Sequence, residues 1–105
     1  MGENMIKRDE NKQWFVYVIV NSRNEAYTGV THDVSPERRI DEHNQGRGAK
    51  YTRGRGPWRL AYVEAGFDSR GKAQAREREL KRDVRMKSAL KEIKSYRKDV
   101  SGADF

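Results

Sequence analysis

The sequence predicts an α+β domain, a three-stranded antiparallel sheet flanked by helices in the order β-β-α-β-α-α. Two observations carry most of that prediction. Trp14–Val20 is an unbroken run of apolar and aromatic side chains, mostly β-branched or ring-bearing, which suits a central strand covered on both faces. The polar segment Asn21-Ser22-Arg23-Asn24-Glu25 follows at once and carries turn chemistry, so the chain doubles back as a hairpin. One more strand pattern and three helical segments complete the order.

Taken in sequence, Met1–Lys12 is polar and of mixed charge, with Met5 and Ile6 as its clustered apolar side chains, and reads as a flexible arm. The domain is expected over residues 13–98, with 99–105 as a tail without structural signal. The second strand is placed around Glu25–Thr31. A loop with an odd number of residues, such as Ser22–Asn24, puts Tyr17 and Tyr27 on one face as diagonal neighbours, roughly 7–8 Å apart. Ser35 as N-cap and Pro36 at the first helical position start a helix, with Glu37 near its positive end. That helix is expected to end near Asn44–Gly46, where Asn and Gly tolerate a left-handed cap. Trp58–Ala65 resumes a strand, with Leu60, Tyr62 and Trp58 on one face. Ser69 caps a helix from Arg70 to about Arg82. A last helix, about Arg85–Arg97, sets Met86, Ala89, Leu90 and Ile93 in a core stripe.

Composition excludes several classes. A chain of 105 residues with 34% hydrophobic and 37% charged side chains suits one small, well-solvated domain. No apolar run approaches the ~20 residues of a membrane span, and Met1–Lys12 is too polar for a signal peptide. The absence of cysteine rules out disulfides and thiolate metal sites and fits a cytoplasmic protein. The net charge of +7 is unevenly spread. From Asn44 to Tyr62 there is no acidic residue but there are five basic ones, Arg47, Lys50, Arg53, Arg55 and Arg59. Glycines alternate with them, and Tyr51 and Trp58 add aromatic surface. Such a segment reads as a loop that packs no core. It is either simply solvated or a contact for a nucleic-acid backbone through Arg47, Lys50, Arg53 and Arg55, with little sequence specificity.

At its most patterned positions the chain resembles the GIY-YIG nuclease superfamily. Val16-Tyr17-Val18 stands at the first tripeptide and Tyr27-Thr28-Gly29 at the second. The similarity continues through Arg38-Arg39-x-x-x-His43, the Gly46–Arg53 segment and Ala73-x-x-Arg76-Glu77-x-x-Leu80-Lys81. It covers roughly residues 14–95 and is greatest to small stand-alone bacterial members. The resemblance implies a metal-dependent endonuclease that hydrolyses DNA phosphodiesters at branched, flapped or nicked structures, in repair or recombination. It further implies Arg39 as a clamp on the scissile phosphate. Arg38 lies about 100° round the helix, and the ten-residue span from Gly29 leaves either arginine able to face the site, Arg39 being favoured. Glu77 would be the lone carboxylate holding Mg2+ or Mn2+, although at four residues from Lys81 it also reads as a surface ion-pair partner. Tyr17 and Tyr27 would place their hydroxyls in the site, and His43 would be a base, a phosphate ligand or a support for the tyrosines. Which of the three is the base stays open. The family commonly draws substrate affinity from an attached domain or a protein partner. A non-catalytic nucleic-acid-binding module with the same fold and basic surface is the alternative.

Overall fold

The computed structural model describes residues 11–92. Most of the expected N-terminal arm, Ile93, the basic positions beyond it and the tail 99–105 lie outside the described residues. Strands β1 (Gln13–Val20), β2 (Ala26–Asp33) and β3 (Arg59–Phe67) form an antiparallel sheet in the order β2-β1-β3. Helix α1 (Glu37–Asn44) separates β2 from β3. Helix α2 (Arg70–Arg82) follows β3, and α3 occupies residues 84–92. The α+β class, the element order and the central position of β1 are as the sequence predicts.

The apolar run becomes the central strand because it can bury both faces. Phe15 to Val20 are all buried. Val16 and Val18 meet Ala73 and Leu80 of α2 and Leu90 of α3. Tyr17 and Ile19, pointing the other way, meet Ile40 of α1 and Trp58. Each such aliphatic burial contributes about 1.5–3 kcal/mol. The described residues contain no helix long and apolar enough to cross a membrane.

The hairpin closes through a bond from the Asn21 N–H to the Glu25 carbonyl at 3.1 Å, leaving Ser22–Asn24 as the turn. Asn24 takes the left-handed conformation, with φ of 63°, which asparagine tolerates. The buried Asn21 side chain organises this turn by accepting from the N–H groups of Arg23 and Glu25. The resulting register sets Tyr17 against Gly29 and Ile19 against Tyr27. Tyr17 and Tyr27 are therefore diagonal neighbours on one face.

Several expectations need correction. Ser35 does not cap α1. The helix begins at Glu37 with Pro36 in the capping position and no side-chain cap, and the Pro36 carbonyl accepts from Arg39 and Ile40. Leu60 and Tyr62 do not share a face, because the pairing with β1 slips between Val18 and Ile19. The extra residue turns Leu60 toward Tyr17 and Tyr62 toward the opposite cluster, the expected effect of a bulge. Ala89 is exposed, whereas Leu90 is buried and Met86 packs against the core. Trp58 is buried, and the basic loop does supply core through Trp58 and Thr52. Ser69 caps α2 as expected, accepting from the Lys72 N–H at 3.2 Å.

Candidate active site

Tyr17 and His43 form the buried centre of the site, each 1% exposed. Tyr17 comes from β1 and His43 from the last turn of α1, and the Tyr17 hydroxyl lies 2.7 Å from His43 Nε2. Two glycines make room for the pair. A Cβ at Gly29 would stand 2.4 Å from the Tyr17 hydroxyl, so the ring lies across a strand position without a side chain. A Cβ at Gly48 would come within 2.2 Å of His43 Nδ1.

The end of α1 is shaped for this arrangement. Gly46 at φ of 80° lets the chain reverse, with the Arg47 N–H bonded to the Glu42 carbonyl and the Gly46 N–H to that of His43. Those two bonds make a Schellman cap. The reversal brings the basic loop back over the histidine, where His43 Nδ1 lies 2.8 Å from Thr52 Oγ1. Thr52 is fully buried, and its carbonyl accepts from Trp58 Nε1 at 3.0 Å. Asn44 grips the Trp58 backbone at both its N–H and its carbonyl. The sequence reading missed Thr52, Gly48 and Asn44 as parts of the site. A histidine followed five residues later by a glycine was a visible but weak cue to Gly48.

Arg39 and not Arg38 turns toward the tyrosine. Arg38 is largely exposed and pairs with Asp33 at 3.3 Å. Arg39 pairs with Glu42 at 2.8 Å and sits close enough to Tyr17 to act on its hydroxyl. Burial pushes the Tyr17 hydroxyl well above the ordinary phenol range, Arg39 opposes that rise, and Tyr27 and Glu77 add to it. Burial, with help from the positive Arg39, lowers the His43 pKa to about 4. Both groups are thus uncharged at neutral pH.

Tyr27 is half-buried, with its ring 5.2 Å from that of His43 and 6.0 Å from Tyr51. Glu77 lies with Ala73 and Leu80 on the sheet-facing stripe of α2, and its side chain is only 18% exposed. It also pairs with Lys81 at 3.3 Å. Glu79 faces elsewhere, bonded to Arg76 and mostly exposed. The structure therefore brings together Tyr17, Tyr27, Arg39 and His43, with the Glu77 charge felt at Tyr17. Of the basic-loop residues, Arg47, Lys50 and Arg53 are exposed. Arg55 is tied down, paired with Glu25 at 2.9 Å and lying 4.3 Å over the Tyr51 ring. Beyond Arg39 a cleft of about 430 Å3 opens between α1 and α2, with Trp14, His32, Arg38 and Arg70 among its walls.

Fold and site together define a GIY-YIG domain. The family model described as the GIY-YIG catalytic domain matches residues 13–90, and the chain belongs to that family. Among its relatives, a UPF0213 protein of Haloquadratum walsbyi is 49% identical over 77 residues, covering 73% of this chain and 83% of that protein. A UPF0213 protein of Halobacterium salinarum is 53% identical over 66 residues, covering 63% and 82%. The solution NMR structure of a UPF0213 protein from Bacillus halodurans is 41% identical, covers 78% of this chain and 85% of that one, and aligns with a TM-score of 0.43.

Proposed function

We propose that this domain is a metal-dependent endonuclease that hydrolyses phosphodiester bonds in DNA, with branched, flapped or nicked structures as its substrates. The observation that carries this reading is the meeting of Arg39 with an uncharged tyrosine–histidine pair at one buried point, with Glu77 near enough to influence Tyr17. Arg39 keeps its charge at any working pH, and its fork matches two oxygens of a phosphodiester. Binding phosphate there would compete with its ion pair to Glu42.

Glu77 fits a role as the protein's ligand for one Mg2+ or Mn2+. Its carboxylate is a hard oxygen donor held on a core-facing stripe and only partly neutralised by the longer contact to Lys81. Among the described residues no group of three or more candidate ligands gathers. A single carboxylate therefore suits an ion that takes its other oxygens from water and substrate phosphate. When bound, such an ion supplies Lewis acidity and stabilises the charge of the leaving oxygen.

The chain's own residues handle the proton of the attacking water. Tyr17 is a poor base alone, because burial holds its proton on. Its hydroxyl can instead take a proton from the water as it gives its own to His43 Nε2, 2.7 Å away. The negative charge of a phosphodiester bound beside Arg39 would raise the imidazole above its value of about 4 in the free protein, so that it can accept. Water oxygen then bonds to phosphorus as the phosphorus–oxygen bond to the leaving strand breaks. Arg39 offsets the charge that builds on the phosphoryl oxygens. The exposed Arg47, Lys50 and Arg53 would hold the flanking backbone, with Arg55 adding to that surface at the cost of its pair to Glu25. A protein partner could add substrate affinity.

Glu77→Gln tests the reading. A surface pairing with Lys81 alone predicts a stability change below about 0.5 kcal/mol and no other consequence. The metal role predicts similar stability, undiminished binding to DNA without metal, and loss of Mg2+- and Mn2+-dependent cleavage of nicked, flapped, duplex and single-stranded substrates. Robust cleavage by Glu77→Gln would remove Glu77 as the essential metal ligand, whereas no metal-dependent cleavage by the wild-type protein on any of these substrates would favour the non-catalytic binding module.

A further inference from the structure

We propose that Thr52 is a positioning residue that fixes the tautomer of His43, placing the ring proton on Nδ1 and leaving Nε2 free to accept from Tyr17. This rests on the hydrolytic reading only for its chemical consequence; the tautomer itself follows from the geometry of the loop.

Thr52 Oγ1 lies 2.9 Å from the Ala49 carbonyl and 2.8 Å from His43 Nδ1. A carbonyl oxygen has no proton to give. At 2.9 Å the two oxygens would repel unless the threonine hydroxyl donates to Ala49. A hydroxyl has one proton, so once it is committed Oγ1 can only accept from the imidazole. Ala49 also accepts from the Thr52 N–H at 3.2 Å, and its two lone pairs accommodate both donors. An uncharged ring carries a single N–H, and with that on Nδ1 the lone pair of Nε2 faces the Tyr17 hydroxyl at 2.7 Å. Every bond then runs one way, from Tyr17 to His43 to Thr52 to Ala49.

The opposite arrangement has Thr52 donating to Nδ1 and Nε2 donating to Tyr17. One contact favours it, the Ala49 N–H, at 3.4 Å from Nδ1 and so at the limit of a hydrogen bond. Against it stands the close approach of two oxygens, and it would also block Nε2 as an acceptor. Which imidazole nitrogen carries the proton is set by what the other side of the ring meets. Here a buried hydroxyl does the orienting without adding negative charge, so the ring is aligned but not made more basic. Thr52 is itself held firmly, by the bond from Trp58 to its carbonyl and by the Asn44 grip on Trp58.

The test is the 15N chemical shifts of the His43 ring at neutral pH in the full chain, alongside the cleavage rate. Wild-type protein is expected to show Nδ1 protonated and Nε2 bare. Thr52→Val keeps the shape but cannot accept, so the proton should move toward Nε2 and cleavage should fall by about tenfold or more. Thr52→Ser should restore both the shifts and the rate. A packing role alone would leave the tautomer untouched in either variant. The proposal is overturned if wild-type His43 carries its proton on Nε2, or if Thr52→Val retains it on Nδ1. Should Thr52→Val fail to fold, the wild-type and Thr52→Ser ring shifts decide the matter. A wild-type protein with the Nδ1 proton but no cleavage would overturn the hydrolytic reading and leave the hold of Thr52 on the ring standing.

Discussion

Removing the His43 imidazole should flatten the dependence of stability on pH between neutrality and mild acid. In the unfolded chain this ring protonates near 6.5, but in the folded protein burial and Arg39 hold it to about 4. Between those values the unfolded state binds more protons, so stability is full above about 6.5 and falls as the pH falls toward 4. Each pH unit of separation is worth about 1.36 kcal/mol, which gives a loss of about 2 kcal/mol between pH 7 and pH 4.5. The assay is urea unfolding of wild-type protein and His43→Gln at pH 7, 6, 5 and 4.5. Glutamine does not titrate and is polar enough to face Tyr17. The carboxylates of Glu25 and Glu64, both held below their ordinary range by hydrogen-bonding partners, are present in both proteins and cancel in the comparison. Wild-type protein should lose about 2 kcal/mol more than the variant across that interval. Equal losses in the two proteins would refute the claim that His43 is buried and uncharged.

Two further predictions concern the space around the site and its charge. Gly29→Ala should destabilise the protein by about 1–3 kcal/mol, because the added methyl meets the buried and rigid Tyr17 ring at 2.4 Å. Thermal unfolding checks this, and a change below about 0.5 kcal/mol would show that the ring moves aside freely. Neutralising Lys50, Arg53 and Arg55 together should weaken DNA binding and lower the log–log salt slope by about 0.9 for each phosphate that is no longer neutralised. An unchanged slope would remove the loop from the binding surface.

The sheet was legible because its signals are local and strong. An apolar run seven residues long can be little else than a covered strand, and the turn after it fixed the parity that aligns Tyr17 with Tyr27. The slip that separates Leu60 from Tyr62 left no mark in the alternation of β3, because it depends on how the strand pairs and not on its composition. Ser35-Pro36 marked the helix start to within a residue but not its cap, since Pro36 stands at the capping position and its carbonyl accepts from Arg39 and Ile40 with no side-chain bond from Ser35. Glu77 keeps both of its expected features, the pairing with Lys81 at 3.3 Å and a place close to the sheet. It stands four residues after Ala73 and three before Leu80, so the spacing alone places it beside the apolar stripe of its helix. Thr52 was hidden because a basic, glycine-rich segment reads as solvated. Its burial follows from the reversal at Gly46 and from the Trp58 anchor, both of which need the third dimension.

The loop from Arg47 to Trp58 is fastened at three separate places. Asn21 Nδ2 donates to the Arg55 carbonyl at 2.8 Å, Thr52 meets His43, and Asn44 grips Trp58. A surface pinned so often has spent its conformational freedom during folding, and little is left to lose when a ligand arrives. It also has little capacity to mould itself to that ligand. For a nucleic acid lying across it, any bending must then come from the nucleic acid. An intact duplex resists with a persistence length of about 150 base pairs, whereas a nick or junction is a hinge that bends at small cost. Stiffness in the cradle would thus act as a sieve for pliability, selecting discontinuous DNA without reading a single base.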